Sequence, residues 1–149
     1  MKIQIVYDSY FGNTKKVAEV IEKAVRKGNR VRVESVQDAT GDDADTDLLI
    51  LGSPTRAFRP TERMKMFLQS LSVRGQKVAV FDTRMTTVDS RVLRFMVKVF
   101  GYAEDSMKKT LKKKGAVLVG SAGFSVKDTK GPLAKGEVDR IKQWAKGLL

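Results

Sequence analysis

Short apolar runs alternate along the chain with stretches in which apolar residues recur at helical spacing. Runs that are apolar throughout, rather than alternately polar, are typical of parallel strands covered on both faces. The pattern therefore predicts a sheet with helices on both sides. The five predicted strands are Lys2 to Tyr7, Arg30 to Val36, Leu48 to Leu51, Val78 to Phe81 and Ala116 to Val119.

Five helices are predicted between and after these strands. The first ends near Gly28, because glycine commonly follows the last turn of a helix. The second begins at Pro60-Thr61-Glu62, a start signal with proline near the first turn. The predicted apolar faces are Val17, Ala18, Val20, Ile21, Ala24 and Val25 in the first helix and Met64, Phe67, Leu68 and Leu71 in the second; the other helices are expected around 89–100, at Ser106 to Lys114 and at Glu137 to Leu149.

Strands and helices in alternation imply right-handed crossovers and a doubly wound α/β sheet. We see no internal repeat or linker, so a single domain, 1–149, is expected. Ligands bind such sheets beyond the carboxyl ends of the strands. Three segments follow strands there and are predicted to converge: Tyr7 to Thr14, Gly52 to Pro60 and Asp82 to Ser90.

The composition narrows the chemistry. The chain has no Cys and no His, which excludes thiolate nucleophiles, disulfides, imidazole bases and nearly all zinc or haem ligation. A redox function would therefore need an organic cofactor. No apolar run reaches the ~18 residues of a transmembrane helix, and the first residues alternate like a strand rather than a signal peptide. We expect a cytoplasmic protein with no transmembrane segment.

The formal charge of +12 is unevenly distributed. Residues 1–75 hold 13 basic and 10 acidic residues, and residues 76–149 hold 16 and 7. The basic second half could attract nucleic acid, an anionic membrane or an acidic protein, or could be a solvated face with no partner. Nucleic acid is disfavoured, because the few aromatic residues occupy predicted core positions and are not interleaved with Lys and Arg.

The first of the three segments has the features of a phosphate site. Gly12 allows close backbone approach, Ser9 and Thr14 supply hydroxyls, and a helix beginning near Asn13 points its unpaired N–H groups at the same place. Neither GxxxxGK[ST] nor GxGxxG is present. The same residues are also typical of an ordinary strand-to-helix turn that binds no ligand.

Several motifs together resemble the flavodoxin-like family across essentially the whole chain. Ser9-Tyr10-Phe11-Gly12-Asn13-Thr14 is similar to the family's FMN phosphate loop, [ST]xTGNT, with Phe11 where Thr is commoner. Gly52-Ser53-Pro54-Thr55, followed by Arg56-Ala57-Phe58 and Met64-Lys65-Met66-Phe67-Leu68, resembles the second FMN loop and its helix. Phe81-Asp82-Thr83-Arg84 and Lys130-Gly131-Pro132-Leu133 resemble a branch of small prokaryotic flavodoxin-domain proteins.

The resemblance implies a flavodoxin-like five-stranded parallel sheet of order 2-1-3-4-5 with FMN as the cofactor. It assigns the phosphate to the first segment and the flavin ring to the other two. No metal site and no catalytic acid, base or nucleophile is implied. The implied cofactor-binding residues are Ser9, Tyr10, Phe11, Gly12, Asn13, Thr14, Ser53, Pro54, Thr55, Arg56, Ala57, Phe58, Asp82, Thr83, Arg84 and Met85.

The chain departs from the family's electron carriers in two ways. Those carriers are typically acidic and stack the ring between aromatic residues, whereas here Phe58 is the one aromatic of the second segment and none lies between Asp82 and Ser90. We therefore expect one flavin face to pack on Phe58 or on the backbone of its loop, and the opposite face to be less covered. Positive charge from Arg56, Arg59 and Arg84 favours a higher potential for the second reduction step than a low-potential carrier needs.

Response-regulator receivers share the doubly wound sheet and are an alternative family. They require a phosphoacceptor Asp at the end of the third strand and a Lys at the end of the fifth. This chain has Gly52-Ser53-Pro54 and Gly120-Ser121-Ala122 at those places, which disfavours that family.

The predicted helix around 89–100 is an addition to the family pattern beside the cofactor site. Its apolar side holds Val92, Phe95, Met96, Val99 and Phe100, and its cations are Arg91, Arg94 and Lys98. A lid, a homodimer contact, and a basic segment resting on a membrane or an acidic partner are the alternatives.

Three functions follow from the sequence. The favoured one is an FMN-binding electron-transfer protein that docks on a redox partner protein, with an acidic partner as one option. The second is an NAD(P)H-dependent FMN quinone or flavin reductase. The third is a flavin-free interaction module of the same fold, because a fold does not guarantee a function.

Overall fold

The computed structural model describes residues 1–41, 45–85 and 91–149. Within these ranges five strands form one sheet in the order β2-β1-β3-β4-β5, and every pairing between neighbours is parallel. The predicted order 2-1-3-4-5 is confirmed. The strands are β1 Lys2–Tyr7, β2 Arg30–Ser35, β3 Leu48–Pro54, β4 Lys77–Met85 and β5 Val117–Val126.

Helices cover both faces of the sheet and divide the core into two clusters. The helices are α1 Asn13–Val25, α2 Glu62–Ser70, α3 Arg91–Phe100, α4 Ala103–Lys113 and α5 Glu137–Lys146. Ile21 of α1 and Ile141 of α5 pack with Phe81 on one face. Met64 of α2 and Met107 of α4 pack on the other. The sheet is therefore doubly wound, as the alternation of strands and helices predicted.

Three strands are longer than their apolar runs. β3, β4 and β5 continue to Pro54, Met85 and Val126, whereas the apolar runs end at Leu51, Phe81 and Val119. The ladder between β3 and β4 continues through the pair Ser53 and Asp82, because polar residues remain in a strand when other protein groups satisfy their side chains. Asp82 to Met85 therefore belong to β4, and the prediction that they form a loop was wrong.

α3 lies outside both core clusters. None of its residues is buried, and its large apolar side chains are exposed, with Val92 at 66%, Phe95 at 65% and Val99 at 57% of their full accessibility. Its start at Arg91 agrees with the helix predicted around 89–100, of which residues 89 and 90 lie outside the described residues. α3 is thus a helix whose outer apolar face meets solvent.

The carboxylate of Glu137 joins the start of α5 to β5. It accepts hydrogen bonds from the backbone N–H of Ser125 at 2.7 Å and from Nε and Nη2 of Arg140 at 2.9 and 2.7 Å. Burial disfavours its charge, but Arg140 and the Ser125 N–H more than compensate, so the pKa of Glu137 lies below its ordinary value.

Glu137→Gln tests this junction. Because the folded pKa lies below the unfolded one, ionised Glu137 stabilises the fold at neutral pH, and that contribution is lost as the pH falls through the folded pKa. We expect the substitution to lower the free energy of unfolding by about 1–2 kcal/mol at neutral pH and by less at about pH 3. Urea unfolding at both pH values measures it. Asp139→Asn, on the exposed side of α5, is the control, and an equal loss at both pH values would contradict the assignment.

Candidate functional site

A cleft opens beyond the carboxyl ends of β1, β3, β4 and β5. Its volume is about 370 Å³, within the range of small-molecule sites. All three predicted segments reach it, although residues 86–90 of the third lie outside the described residues. The cleft is lined by Ser9, Tyr10, Phe11, Asn13, Thr14, Pro54, Thr55, Arg56, Ala57, Phe58, Thr83, Arg84, Met85, Leu93, Val97, Tyr102, Val126 and Thr129.

The first segment presents unpaired backbone donors at the start of α1. Gly12 has φ 91°, a conformation that favours glycine, and its N–H donates to Ser9 Oγ at 3.0 Å. The first turn of α1 has no acidic residue and no side-chain cap. Within the described ranges the N–H groups of residues 13–15 have no acceptor. These donors, together with the helix dipole, suit a phosphate.

Two side chains predicted to bind the phosphate have other contacts. Thr14 Oγ1 is buried and lies 2.9 Å from Thr83 Oγ1, so it ties the first segment to β4. Asn13 packs against Gly131, where a Cβ would lie 2.3 Å from Asn13 Oδ1. The backbone of this turn and the Ser9 hydroxyl are therefore the free donors, and Thr14 and Asn13 shape the turn.

The second segment contains a tight two-residue hairpin. The N–H of Arg56 donates to the carbonyl of Arg59 at 2.8 Å, and the N–H of Arg59 donates back at 3.0 Å. The two central residues, Ala57 and Phe58, have φ values of 46° and 66°. Turns of this kind usually hold Asn-Gly, because a Cβ is strained there. We call residues 56–59 the hairpin; it places Phe58 in the cleft wall, with its ring centroid 5.9 Å from that of Phe100.

Ser53, which was predicted to bind the cofactor, supports this segment from beneath and does not line the cleft. Its side chain is fully buried. Its Oγ accepts a hydrogen bond from the N–H of Thr61 at 3.1 Å and donates to the carbonyl of Pro54 at 3.0 Å. It therefore joins the two ends of the segment on either side of the hairpin.

Ala57→Gly tests the strain in the hairpin. Glycine relieves a positive φ, while its greater freedom in the unfolded chain offsets part of the gain. We expect the free energy of unfolding to rise by about 0.5–1 kcal/mol. Ala134→Gly, at a residue without a positive φ, should be destabilising instead. Chemical unfolding of both variants measures the contrast, and destabilisation by Ala57→Gly would contradict the described hairpin.

The third segment is organised by a buried carboxylate. Asp82 is fully buried and accepts hydrogen bonds from Arg84 Nε at 2.6 Å and Nη2 at 2.8 Å, from Thr55 Oγ1 at 3.1 Å and from the N–H of Glu104 at 2.9 Å. Thr55 Oγ1 in turn accepts from the N–H of Ala103 at 3.0 Å. Asp82 thus links β4, the second segment and the start of α4, and it positions the cleft wall without lining it.

Arg84 does not present a free charge to the cleft. Its guanidinium is paired with Asp82, lies 3.6 Å from Glu104 Oε2 and sits 3.6 Å from the ring centroid of Tyr102. Burial opposes its charge, but Asp82, Glu104 and Tyr102 together raise the pKa of Arg84 above its ordinary value. Its positive charge is therefore largely compensated. The expectation that Arg84 raises the flavin potential loses its basis.

The sequence reasoning missed two groups of residues. Asp8, which is 2% exposed, accepts hydrogen bonds from Thr61 Oγ1 at 2.6 Å and Arg63 Nε at 3.0 Å, and its position after the first strand was the available signal. The second group lines the cleft from elements beyond the three segments, and no sequence signal indicated its members. They are Leu93, Val97, Tyr102, Val126 and Thr129.

The cleft-lining residues that lie outside the three segments affect the prediction of a less covered flavin face. Leu93 and Val97 of α3 and the ring of Tyr102 line the cleft, where the sequence offered no aromatic residue. α3 is therefore one wall of the cleft, and the less covered face predicted from the sequence has apolar side chains beside it.

Comparison with known proteins assigns the family. A family model described as a flavodoxin domain matches residues 4–120. The chain belongs to the flavodoxin domain family. It is 28% identical to a flavodoxin of Aquifex aeolicus, with 80% of this chain and 75% of that protein covered.

Solved flavodoxin structures share the fold over almost the whole chain. Two-electron reduced Megasphaera elsdenii flavodoxin gives a TM-score of 0.72 at 25% identity and covers 96% of this chain and 97% of its own. Oxidised Flavodoxin 1 from Bacillus cereus gives 0.76 at 21% identity and covers 99% and 97%. The predictions of the family, of FMN as its cofactor and of an electron-transfer function are confirmed.

The residues present in this flavodoxin-domain protein fit FMN. The unpaired N–H groups at the start of α1 suit its phosphate, and the cleft beside them is bordered by the rings of Tyr10, Phe58 and Tyr102.

No helix within the described ranges is long and apolar enough to cross a membrane. Flavodoxins transfer electrons to redox partners.

Proposed function

We propose that this flavodoxin-domain protein is an FMN-dependent electron carrier, with residues 1–149 acting as one domain. The observation that carries the proposal is the apolar rim of the cleft. Tyr10, Phe11, Met85 and Leu93 line the cleft and are also exposed, at 51%, 45%, 39% and 44% of their full accessibility. Exposed apolar side chains gathered at one place favour transient docking of another protein.

In this proposal the chain binds and orients the cofactor and supplies no acid, base or nucleophile. The N–H groups of residues 13–15 and the Ser9 hydroxyl hold the phosphate. Residues 54–58 and 83–85 border the ring, while Asp82 and Ser53 fix those segments from below. Bound FMN supplies the reversible uptake of electrons.

The charge around the cleft favours an acidic docking partner. Arg56 lines the cleft and is exposed, and in the described part of the chain it forms no ion pair. Further cations, Arg91, Arg94 and Lys98, belong to α3, the helix that also lines the cleft. Complementary charge would steer an acidic surface toward the flavin edge. A homodimer through α3 and a cytoplasmic location stay predictions.

Cofactor loading and acceptor preference test the carrier function. The purified protein should retain FMN after excess flavin is removed, with the visible absorption bands of bound flavin. The reduced protein should transfer electrons faster to ferricyanide, which is an anion, than to hexaamminecobalt(III), which is a cation. Each rate is first divided by the rate of free reduced FMN with the same acceptor. The preference should weaken with salt.

Two results would overturn this proposal. Steady oxidation of NADPH with a quinone, well above the rate of free FMN, would favour the reductase alternative. Failure to retain FMN would favour the flavin-free interaction module.

Arg56→Gln tests the positive charge that remains at the cleft. One charge at roughly 7 Å and an effective dielectric of about 20 contributes at most about 2 kcal/mol, or roughly 100 mV, and exposure to water reduces this. We expect the potential for full reduction of the flavin to fall by tens of millivolts, on the order of a third of that limit. A spectroelectrochemical titration measures it, with Arg59→Gln as the control from the same hairpin. An unchanged or higher potential in Arg56→Gln contradicts the role of Arg56.

A further inference from the structure

A second cavity adjoins the flavin cleft across the hairpin. Its volume is about 780 Å³, and it is bounded by the hairpin, the start of α2, the end of α3 and the start of α4. Tyr10, Arg56, Ala57 and Phe58 border both cavities. The hairpin and Tyr10 are therefore the wall between them.

One part of the second cavity is apolar and aromatic. The rings of Phe58 and Phe100 lie 5.9 Å apart at an angle of 33°, and Met96 and Pro60 complete this side. Two exposed or half-buried aromatic rings and a thioether favour a flat, apolar guest, because planar molecules gain contact on aromatic faces. The left-handed backbone of the hairpin holds Phe58 in this position.

The other part of the cavity is positively charged. Arg56, Arg59 and Lys109 line it, and none of them forms an ion pair with any carboxylate in the described ranges. The acidic residues of the lining are already engaged. Glu62 pairs with Lys65 at 2.7 Å, and Asp105 pairs with Lys108 at 3.0 Å and accepts the N–H of Tyr102 at 3.0 Å. The cavity therefore has cations in excess beside its aromatic side.

We propose that this cavity is a second ligand site, for a planar aromatic molecule that carries one anionic group. The aromatic side receives the ring system, and Arg59 and Lys109 receive the anion through charge-assisted hydrogen bonds. The two cavities share a wall but not a volume, so both are filled at once. A ligand here lies one side chain away from the flavin, across Phe58.

The test uses the oxidised, FMN-loaded protein and two probes with the same ring system. Anthraquinone-2-sulfonate carries the anion, and 2-(hydroxymethyl)anthraquinone is neutral. Titration calorimetry should show that the sulfonate binds about tenfold more tightly than the neutral probe, and that both bind while FMN remains bound. No electron transfer is involved, so failure of the carrier assays and failure of this site are separate outcomes.

Substitutions assign the probe to the cavity. Arg59→Gln and Lys109→Gln should each weaken sulfonate binding by about three- to tenfold, because each removes one solvent-exposed cation, and should leave neutral-probe and FMN affinity unchanged. Phe100→Ala should weaken both probes. Lys112→Gln, which removes an exposed charge from the same helix outside the lining, is the matched control.

Four results would overturn the site. These are no binding of either probe, equal affinity for the two probes, sulfonate binding that is indifferent to both Arg59→Gln and Lys109→Gln, and probe binding that is lost when FMN is loaded. The last result would place the probe in the flavin cleft.

Discussion

The buried carboxylate of Asp82 joins the parts of the chain that form the flavin cleft. A buried charge is stable only when it is paired and hydrogen-bonded, and Asp82 meets this condition with Arg84, the Thr55 hydroxyl and the N–H of Glu104. Each partner comes from a different element of the cleft wall. Because loss of any of these partners would leave a buried charge unpaired at a high free-energy cost, they hold β4, the second segment and α4 together without a cofactor.

A second buried acid, Asp8, holds the opposite end of the same segment. It accepts from Thr61 Oγ1 and is paired with Arg63, and Thr61 caps α2 by accepting the N–H of Met64. The hairpin is therefore fastened on both sides, by Asp82 through Thr55 and by Asp8 through Thr61. This accounts for the persistence of left-handed φ values at Ala57 and Phe58, since strained conformations survive where their surroundings over-determine them. The conformation of this wall of the flavin cleft is therefore supported by two buried charges rather than by the hairpin's own sequence.

Sequence patterns predicted the sheet order, most helix positions and the convergence of the three segments, because burial on both faces leaves a periodic apolar signal. They did not predict that β4 continues through Asp82 to Met85, since a polar strand end is visible only when its partners are known. The pairing of Arg84 with Asp82 was missed for the same reason: two residues on one strand were expected to face the flavin, and they satisfy each other instead. Leu93 enters the cleft from α3, and Tyr102 enters it from the position just before α4. The approach of these helices to the cleft depends on tertiary packing, which leaves no local signal.

The arginines on the two sides of the flavin cleft differ in whether carboxylates pair with them. In the third segment Asp82 and Glu104 offset Arg84, so that side of the cleft has little net positive charge. On the hairpin, Arg56 and Arg59 have no such partners in the described part of the chain. Arg56 borders both cavities, whereas Arg59 lines the second cavity and not the flavin cleft. Of the cations that line the flavin cleft, Arg84 is paired with carboxylates, and Arg56 belongs to an exposed element that borders both cavities. An anion bound in the second cavity would oppose the field of Arg56 at the flavin, so occupancy there and the flavin potential are coupled by electrostatics across the wall, without any movement of the fold.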